Sequence, residues 1–290
     1  MTMDILLPLK HTGERETIQS RTRQLIIIGA NGSGKTRFTE RLIKDLEGRS
    51  FRISALDALY DSRESDTLPG SIDMQCQEEL NRTAFMRTDI TSEFERLMVL
   101  LLHEEVLNLI KYKVDQTIQP GSKLQSTRLD MVIKLWQEIF PDNRILFEGG
   151  KMLFSRRLDK DTYSSVKLSA GEKAVLYYIG AILFAMENAV IFVDNPGIFL
   201  HPSILKNVWN RLEELRPDCT FIYTTHDLEF ASSRTNSAIV WVRGYDAQNV
   251  TWDYDVLPPH SGLSEDIYLA IIGSRKPVLF IEGDETHSID

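Results

Sequence analysis

Residues Gly29 to Thr36, Gly-Ala-Asn-Gly-Ser-Gly-Lys-Thr, constrain this chain more than any other stretch. They spell G-x-x-x-x-G-K-[ST], a loop whose glycines let backbone N–H groups close around phosphate oxygens. The context fits. Leu25 to Ile28 is a short, β-branched apolar run that reads as a buried parallel strand, and Phe38, Leu42 and Ile43 follow at helical spacing. A loop between strand and helix turns its amides and the helix N-terminus toward an anion. Asn31, Gly32, Ser33 and Gly34 then form the cradle, Lys35 reaches the β- and γ-phosphates, and the Thr36 hydroxyl ligates Mg²⁺. A glycine-rich turn that binds nothing has no need of the whole pattern, so a nucleoside triphosphate is the expected ligand.

At 290 residues, 42% hydrophobic and 26% charged, the chain has core enough for one large or two modest domains. Its longest apolar runs, Leu25–Ile28, Met98–Leu102 and Ala189–Val193, are too short to cross a bilayer. The opening MTMDILLPLKHTGERE lacks the basic-then-apolar order of a secretory leader, so a cytoplasmic protein with no membrane partner is expected. Cys76 and Cys219 lie far apart without metal-ligand spacing, which suits a reducing compartment and two inert thiols. The net charge of −9 argues against a broad nucleic-acid-coating surface and leaves a local basic groove open.

Around the loop, ILLPLK and ETIQS before it and Phe51–Ile53 after it read as short strands, and Asp57 to Gln77 as polar and irregular. From Thr88 to about Asp115, Phe94, Leu97, Leu101, Val106 and Ile110 mark one apolar helical stripe. Gln119-Pro120-Gly121 breaks it. Met131, Ile133, Leu135, Ile139 and Phe140 then predict a second helix, completing a hairpin over about 88–140 whose stripe serves as core or as a partner-helix surface. Arg144 to Arg156 reads as a β-hairpin turning at Gly149-Gly150.

Three further motifs follow in order. Leu168-Ser169-Ala170-Gly171-Glu172-Lys173 precedes an apolar helix, Ala174 to Met186; alone it is also a generic capping box. Ala189 to Val193 is a strand ending at Asp194, a carboxylate placed to hold Mg²⁺ beside the phosphate loop. Thr220 to Thr224 is a strand with Thr225-His226-Asp227 at its end; alone His226 reads as a hydrogen-bonded loop histidine, and in this motif order as a γ-phosphate contact.

Together these residues resemble the ABC-type ATPases over about residues 1–245, and the DNA-repair and defence branch more than the transporters. The resemblance implies an α/β P-loop NTPase with a mixed sheet, an antiparallel β lobe and the inserted helical hairpin. It implies two ATP molecules sandwiched in a head-to-tail dimer, with Ser169 and Gly171 of one subunit closing on the γ-phosphate held by Lys35 of the other. Gln75 or Gln77 is a candidate for the glutamine such ATPases place near Mg²⁺, and a solvated loop glutamine is the equal alternative for either. Glu172-Lys173 is similar to the chromosome-maintenance and double-strand-break-repair ATPases. Leu200-His201-Pro202 is similar to the overcoming-lysogenization-defect (OLD) family and its anti-phage relatives. One departure stands out: those families follow the aspartate with a glutamate general base, and here the residue is Asn195. An amide cannot accept that proton, although it can orient water. Three readings stay open: Asn195 is natural and hydrolysis is slow, it is an engineered substitution that traps ATP, or His226 takes the base role.

The C-terminal stretch KPVLFIEGDETHSID resembles the first strand of a topoisomerase–primase (TOPRIM-like) nuclease domain, with Glu282 as the metal-linked carboxylate. The Asp-x-Asp strand of such a domain is missing, and one carboxylate cannot build a two-metal site, so no nuclease activity is expected of this chain. The alternative is a terminal strand that pairs with the ATPase sheet. The expected organisation is an ATPase domain over 1–260, a connecting helix over 261–275 and an incomplete TOPRIM-like strand over 276–290. The resemblance implies a sensor and scaffold of an anti-phage system, near the phage anti-restriction-induced systems, that forms dimers or larger rings. Its partners would be a TOPRIM-like nuclease effector, fused or separate, and a phage trigger protein. The rival readings are a DNA-clamping repair ATPase and a transporter's nucleotide-binding subunit.

Overall fold

The computed structural model describes residues 3–20, 23–60, 93–148, 151–156, 161–234, 236–257 and 263–272. Its strands, in chain order, are β1 (Met3–Leu6), β2 (Thr17–Ser20), β3 (Gln24–Ile28), β4 (Ser50–Ile53), β5 (Asn143–Glu148), β6 (Lys151–Arg156), β7 (Tyr163–Ser164), β8 (Val190–Asp194), β9 (Thr220–Thr225), β10 (Ala238–Asp246) and β11 (Thr251–Leu257). The helices are α1 (Lys35–Asp45), α2 (Ala55–Tyr60), α3 (Glu93–Ile118), α4 (Arg128–Ile139), α5 (Ala170–Phe184), α6 (Pro202–Leu215), α7 (Leu228–Ser233) and α8 (Glu265–Ile272).

A six-stranded sheet in the order β11-β10-β3-β9-β8-β4 organises the molecule, parallel throughout except for the antiparallel β10–β11 pair. Its central strands are apolar on both faces, as strands covered twice must be. Alternation divides them cleanly. Leu25, Ile27, Val190, Phe192, Ile222 and Val240 pack with Phe38 and Leu42 of α1, with Ile5 and Ile18 of the β1–β2 pair, and with Leu7 just after β1. Ile26, Ile28, Ile191, Val193, Phe221 and Tyr223 face the larger core under α5 and α6.

Helix α5 is buried from Ala174 to Leu183 without interruption, because α2, α3, α4 and α6 pack against it and its side chains share one core with the sheet. At Gly180 an added Cβ would lie 2.6 Å from Leu97 Cδ2, so α3 crosses α5 in close contact at that point. The expected hairpin of helices is present, and its stripe divides in two. Phe94, Leu97 and Leu101 are buried, whereas Val106 and Ile110 are 51% and 55% exposed, because α3 outruns α4 and α5. Met131, expected in the second helix's apolar set, is also exposed, while Val132, Leu135 and Trp136 turn inward. A second correction concerns Asp57, which lies on α2 and not in an irregular stretch; its backbone N–H donates to Ser54 Oγ at 3.3 Å.

The antiparallel β5–β6 hairpin and β7 form a separate three-stranded sheet. Cys219 is buried, and burial pushes its thiol up to about 11, so it is inert; Cys76 lies outside the described residues. Among the described residues no helix is long and apolar enough to cross a membrane.

Candidate nucleotide site

The phosphate loop leaves β3 at Ile28 and enters α1 at Lys35. Space demands two of its glycines, Gly29 and Gly34. A Cβ on Gly29 would lie 2.4 Å from the Val242 carbonyl oxygen, and one on Gly34, at φ +92°, would lie 2.5 Å from Tyr245 Cβ. Lys35 Nζ folds back over the loop and donates to the Gly29 and Ala30 carbonyls, each at 2.8 Å. Burial lowers the Lys35 pKa, and the Asp194 carboxylate opposes that shift. Ser33 Oγ is buried in the loop with no hydrogen-bond partner among the described residues, a polar atom a ligand could satisfy.

Strand β9 lies between β3 and β8, with Ile28 opposite Thr225 and Asp194 opposite Thr224. That order spreads Lys35, His226 and Asp194 across the C-terminal ends of three neighbouring parallel strands, where open α/β sheets bind their ligands. Asn31, Gly32, Gly34, Lys35, Thr36, Asp194, Asn195, Thr224 and His226 line one cleft of about 390 Å³, together with Arg37 and Tyr245. This is the size of a small-molecule site.

Asp194 is mostly buried. Burial raises its pKa, and Arg52 is the main opposing influence. Arg52 Nη2 stands 3.6 Å from Asp194 Oδ2 and 3.3 Å from Asp57 Oδ2. Asn195 has φ +47°, donates its backbone N–H to the Thr224 carbonyl at 2.8 Å, and places Nδ2 3.3 Å from Asp194 Oδ1. Asparagine tolerates this left-handed backbone better than most residues. The amide therefore steadies the carboxylate and offers no base.

The donor set fits Mg²⁺. Asp194 and Thr36 present oxygen ligands to the same cleft, and a water-sized void of about 10 Å³ beneath them is lined by Thr36, Thr39, Arg52, Asp194 and Thr224 among others. No cluster of three His, Cys, Asp or Glu side chains able to hold a metal exists among the described residues. An ion here would complete its shell from water and phosphate oxygens, as Mg²⁺ does.

Ser169 and Gly171 are not among the residues lining this cleft. Ser169 is the exposed N-cap of α5; its Oγ accepts the Glu172 N–H at 3.2 Å, and Glu172 Oε2 accepts the Ser169 N–H at 2.8 Å. Helix α5 therefore begins at Ala170, four residues earlier than the apolar run suggests. A Cβ on Gly171 would lie 2.8 Å from the Phe199 carbonyl oxygen, so the serine-bearing turn packs closely on the loop that follows Asn195. Leu200-His201-Pro202 is the start of α6: His201 Nδ1 accepts the Ser203 N–H at 3.2 Å and Pro202 takes the first helical position.

Gln75, Gln77 and Glu282 lie outside the described residues. Arg52, Arg37, Thr224 and Tyr245 belong to the site without a motif to announce them. Tyr245 reaches it from the far end of β10, where its ring lies 5.2 Å from the Arg37 guanidinium and 4.8 Å from Trp252.

Residues 50–232 match the family model described as "AAA domain, putative AbiEii toxin, Type IV TA system". Among solved structures, the chain is similar to the SmcHead bound to the C-winged helix domain of ScpA, at 13% identity and a TM-score of 0.50, covering 88% of this chain and 98% of that one. It is also similar to cbiO1 from Clostridium perfringens, part of the ABC transporter complex cbiONQ, at 13% identity and a TM-score of 0.40, covering 82% of this chain and 84% of that one. No curated protein matches. The fold is that of an ABC-type P-loop ATPase.

Proposed function

The chain belongs to that AAA-domain family, and we propose that it is an ATP-binding sensor and scaffold whose Mg²⁺-ATP sites are completed between two head-to-tail copies. One observation carries the reading: Lys35, Thr36, Asp194 and His226 share a cleft from which Ser169 and Gly171 are absent, and Ser169 stands exposed at the start of α5. A second copy would bring that turn onto the γ-phosphate. Mg²⁺ would supply charge neutralisation between the β- and γ-phosphates. Asn31 to Gly34 would cradle the phosphates, Lys35 and Thr36 would engage phosphate and metal, and Asp194 would hold the metal through water.

With Asn195 where a base would stand, the ATP-bound state is long-lived, which suits a sensor waiting for its trigger. His226 contacts the γ-phosphate and is the alternative base. The family's description names a toxin and a type IV TA system, which supports a toxin-system role over transport; the anti-phage part rests on the motif resemblance. In that role the cytoplasmic ATPase domain, 1–260, would join through 261–275 to a TOPRIM-like segment carrying Glu282. It would hold a nuclease effector, fused or separate, until a phage protein shifts the equilibrium. A second reading, a DNA-clamping ATPase, is favoured only by the likeness to an Smc head, which speaks to fold.

The test is mass in solution with and without Mg²⁺-ATP, with phosphate release followed in parallel. ATP-dependent assembly with little phosphate released is expected. Failure to bind nucleotide, or an unchanged monomer with nucleotide bound, would end the sandwich reading. Salt-sensitive duplex binding by the ATP-bound form would favour the second reading.

A further inference from the structure

Arg52 sits one residue before the end of the edge strand β4, where β4 pairs in register with β8 and Arg52 opposes Phe192. The same guanidinium nitrogen lies 3.3 Å from Asp57 Oδ2 and 3.6 Å from Asp194 Oδ2. Arg52 also lines the water-sized void beside Thr36 and Asp194. One cation is thus shared by two carboxylates, and one of these is the group assigned above to the metal. A dication drawn to Asp194 meets a resident positive charge already in place. Asp57, on the neighbouring turn of α2, is where that charge can remain once Asp194 is taken.

We propose that Arg52 is a positioning residue that exchanges with Mg²⁺ at Asp194. It holds the carboxylate in the nucleotide-free protein and passes to Asp57 alone when Mg²⁺ arrives with the nucleotide. The inference rests on the nucleotide reading of the cleft. It has a sign that ordinary structural support lacks. Removing Arg52 removes a competitor and strengthens metal coupling. Removing Asp57 leaves Asp194 as the stronger attraction for Arg52 and weakens that coupling.

The readout is the ratio of the affinity for ATP in saturating Mg²⁺ to the affinity in EDTA, measured by calorimetry on the full chain. This ratio isolates the contribution of the metal and needs no turnover. Arg52→Gln is expected to raise it about threefold to fivefold and Asp57→Asn to lower it by a similar factor, the range of a partly exposed ion pair. Arg52→Lys, which keeps the charge, should stay near the parent. Thermal melts establish that each variant is folded. Opposite signs for the two variants support the exchange. The same sign for both, or no movement in either, overturns it, as does a loss of affinity in EDTA for Arg52→Gln, which would put the guanidinium on a phosphate. A parent that binds no ATP in either buffer would overturn the nucleotide reading itself.

Discussion

Replacing Asn195 with glutamate sets two effects of different kind against each other. Residue 195 has φ +47°, and glutamate lacks the short side chain that makes asparagine tolerable there, a cost of about 1 kcal/mol. The new carboxylate also stands beside Asp194 where an amide now donates across 3.3 Å. Two unit charges about 5 Å apart repel by about 3 kcal/mol at an effective dielectric of about 20, and Arg52 offsets part of this. A net loss of about 2 kcal/mol lowers the melting temperature by about 3 °C for a chain of this size. The same carboxylate is a base within reach of the γ-phosphate end of the cleft, and a positioned base contributes about 10²–10⁴ in rate. Asn195→Glu should therefore melt earlier without nucleotide, recover stability in Mg²⁺-ATP, and release phosphate at least about 100 times faster than the parent. Phosphate release under saturating Mg²⁺-ATP, with a melting curve in each buffer, is the assay. A variant that binds Mg²⁺-ATP and melts as expected, yet turns over no faster, would refute the argument that the missing base limits hydrolysis. Asn195→Ala is the control and should stay slow.

Mixing offers a second test: Lys35→Ala and Ser169→Arg should each fail to assemble with ATP, whereas their mixture should form pairs holding one nucleotide, counted by native mass spectrometry. Gly34→Ala must place a Cβ 2.5 Å from Tyr245 Cβ at φ +92°, so it should lose nucleotide binding by at least about tenfold in calorimetry and destabilise the fold by about 2 kcal/mol. Glu93 supplies the pH test. Burial raises its carboxyl to about 7 against an ordinary 4.5, with the Tyr177 hydroxyl donating to it at 2.6 Å. The folded state holds this proton where the unfolded chain has lost it, so the contribution is full below pH 4.5 and disappears as pH rises through about 7. Glu93→Gln should then match the parent near pH 4.5 and exceed it by about 2–3 kcal/mol at pH 8, read from urea midpoints. Equal pH slopes for the two proteins would sink this account.

The parts of the site that chemistry ties to a local pattern were legible in the sequence. The phosphate loop must be glycine-rich and lie between a strand and a helix, so Gly29 to Thr36 announces itself. Asp194 and His226 end apolar runs, and the strand order brings them to Lys35. Arg52 carried no such mark, since an arginine in a short strand looks like any solvated charge until β4 is known to pair with β8. Tyr245 is similarly remote, supplied by a strand that joins β3 only in the folded sheet. The apolar stripe of α3 identified a face correctly and could not say what covers it. Periodicity measures which residues share a side, while burial at Val106 and Ile110 depends on where α4 and α5 stop. Asp57 was missed as helical because α2 is too short to show a period.

The two carbonyls that receive Lys35 Nζ have a consequence for which nucleotides this cleft accepts. Within the loop the Gly29 and Ala30 carbonyl oxygens accept from the ammonium, the part that phosphate oxygens would take. An entering nucleotide must substitute for two hydrogen bonds at 2.8 Å before it gains anything from that charge. A triphosphate or diphosphate brings oxygens able to do so. A nucleotide whose phosphates did not reach the ammonium would leave the lysine on its own backbone. The exchange would move one side chain, so the loop would need no refolding before a triphosphate arrives.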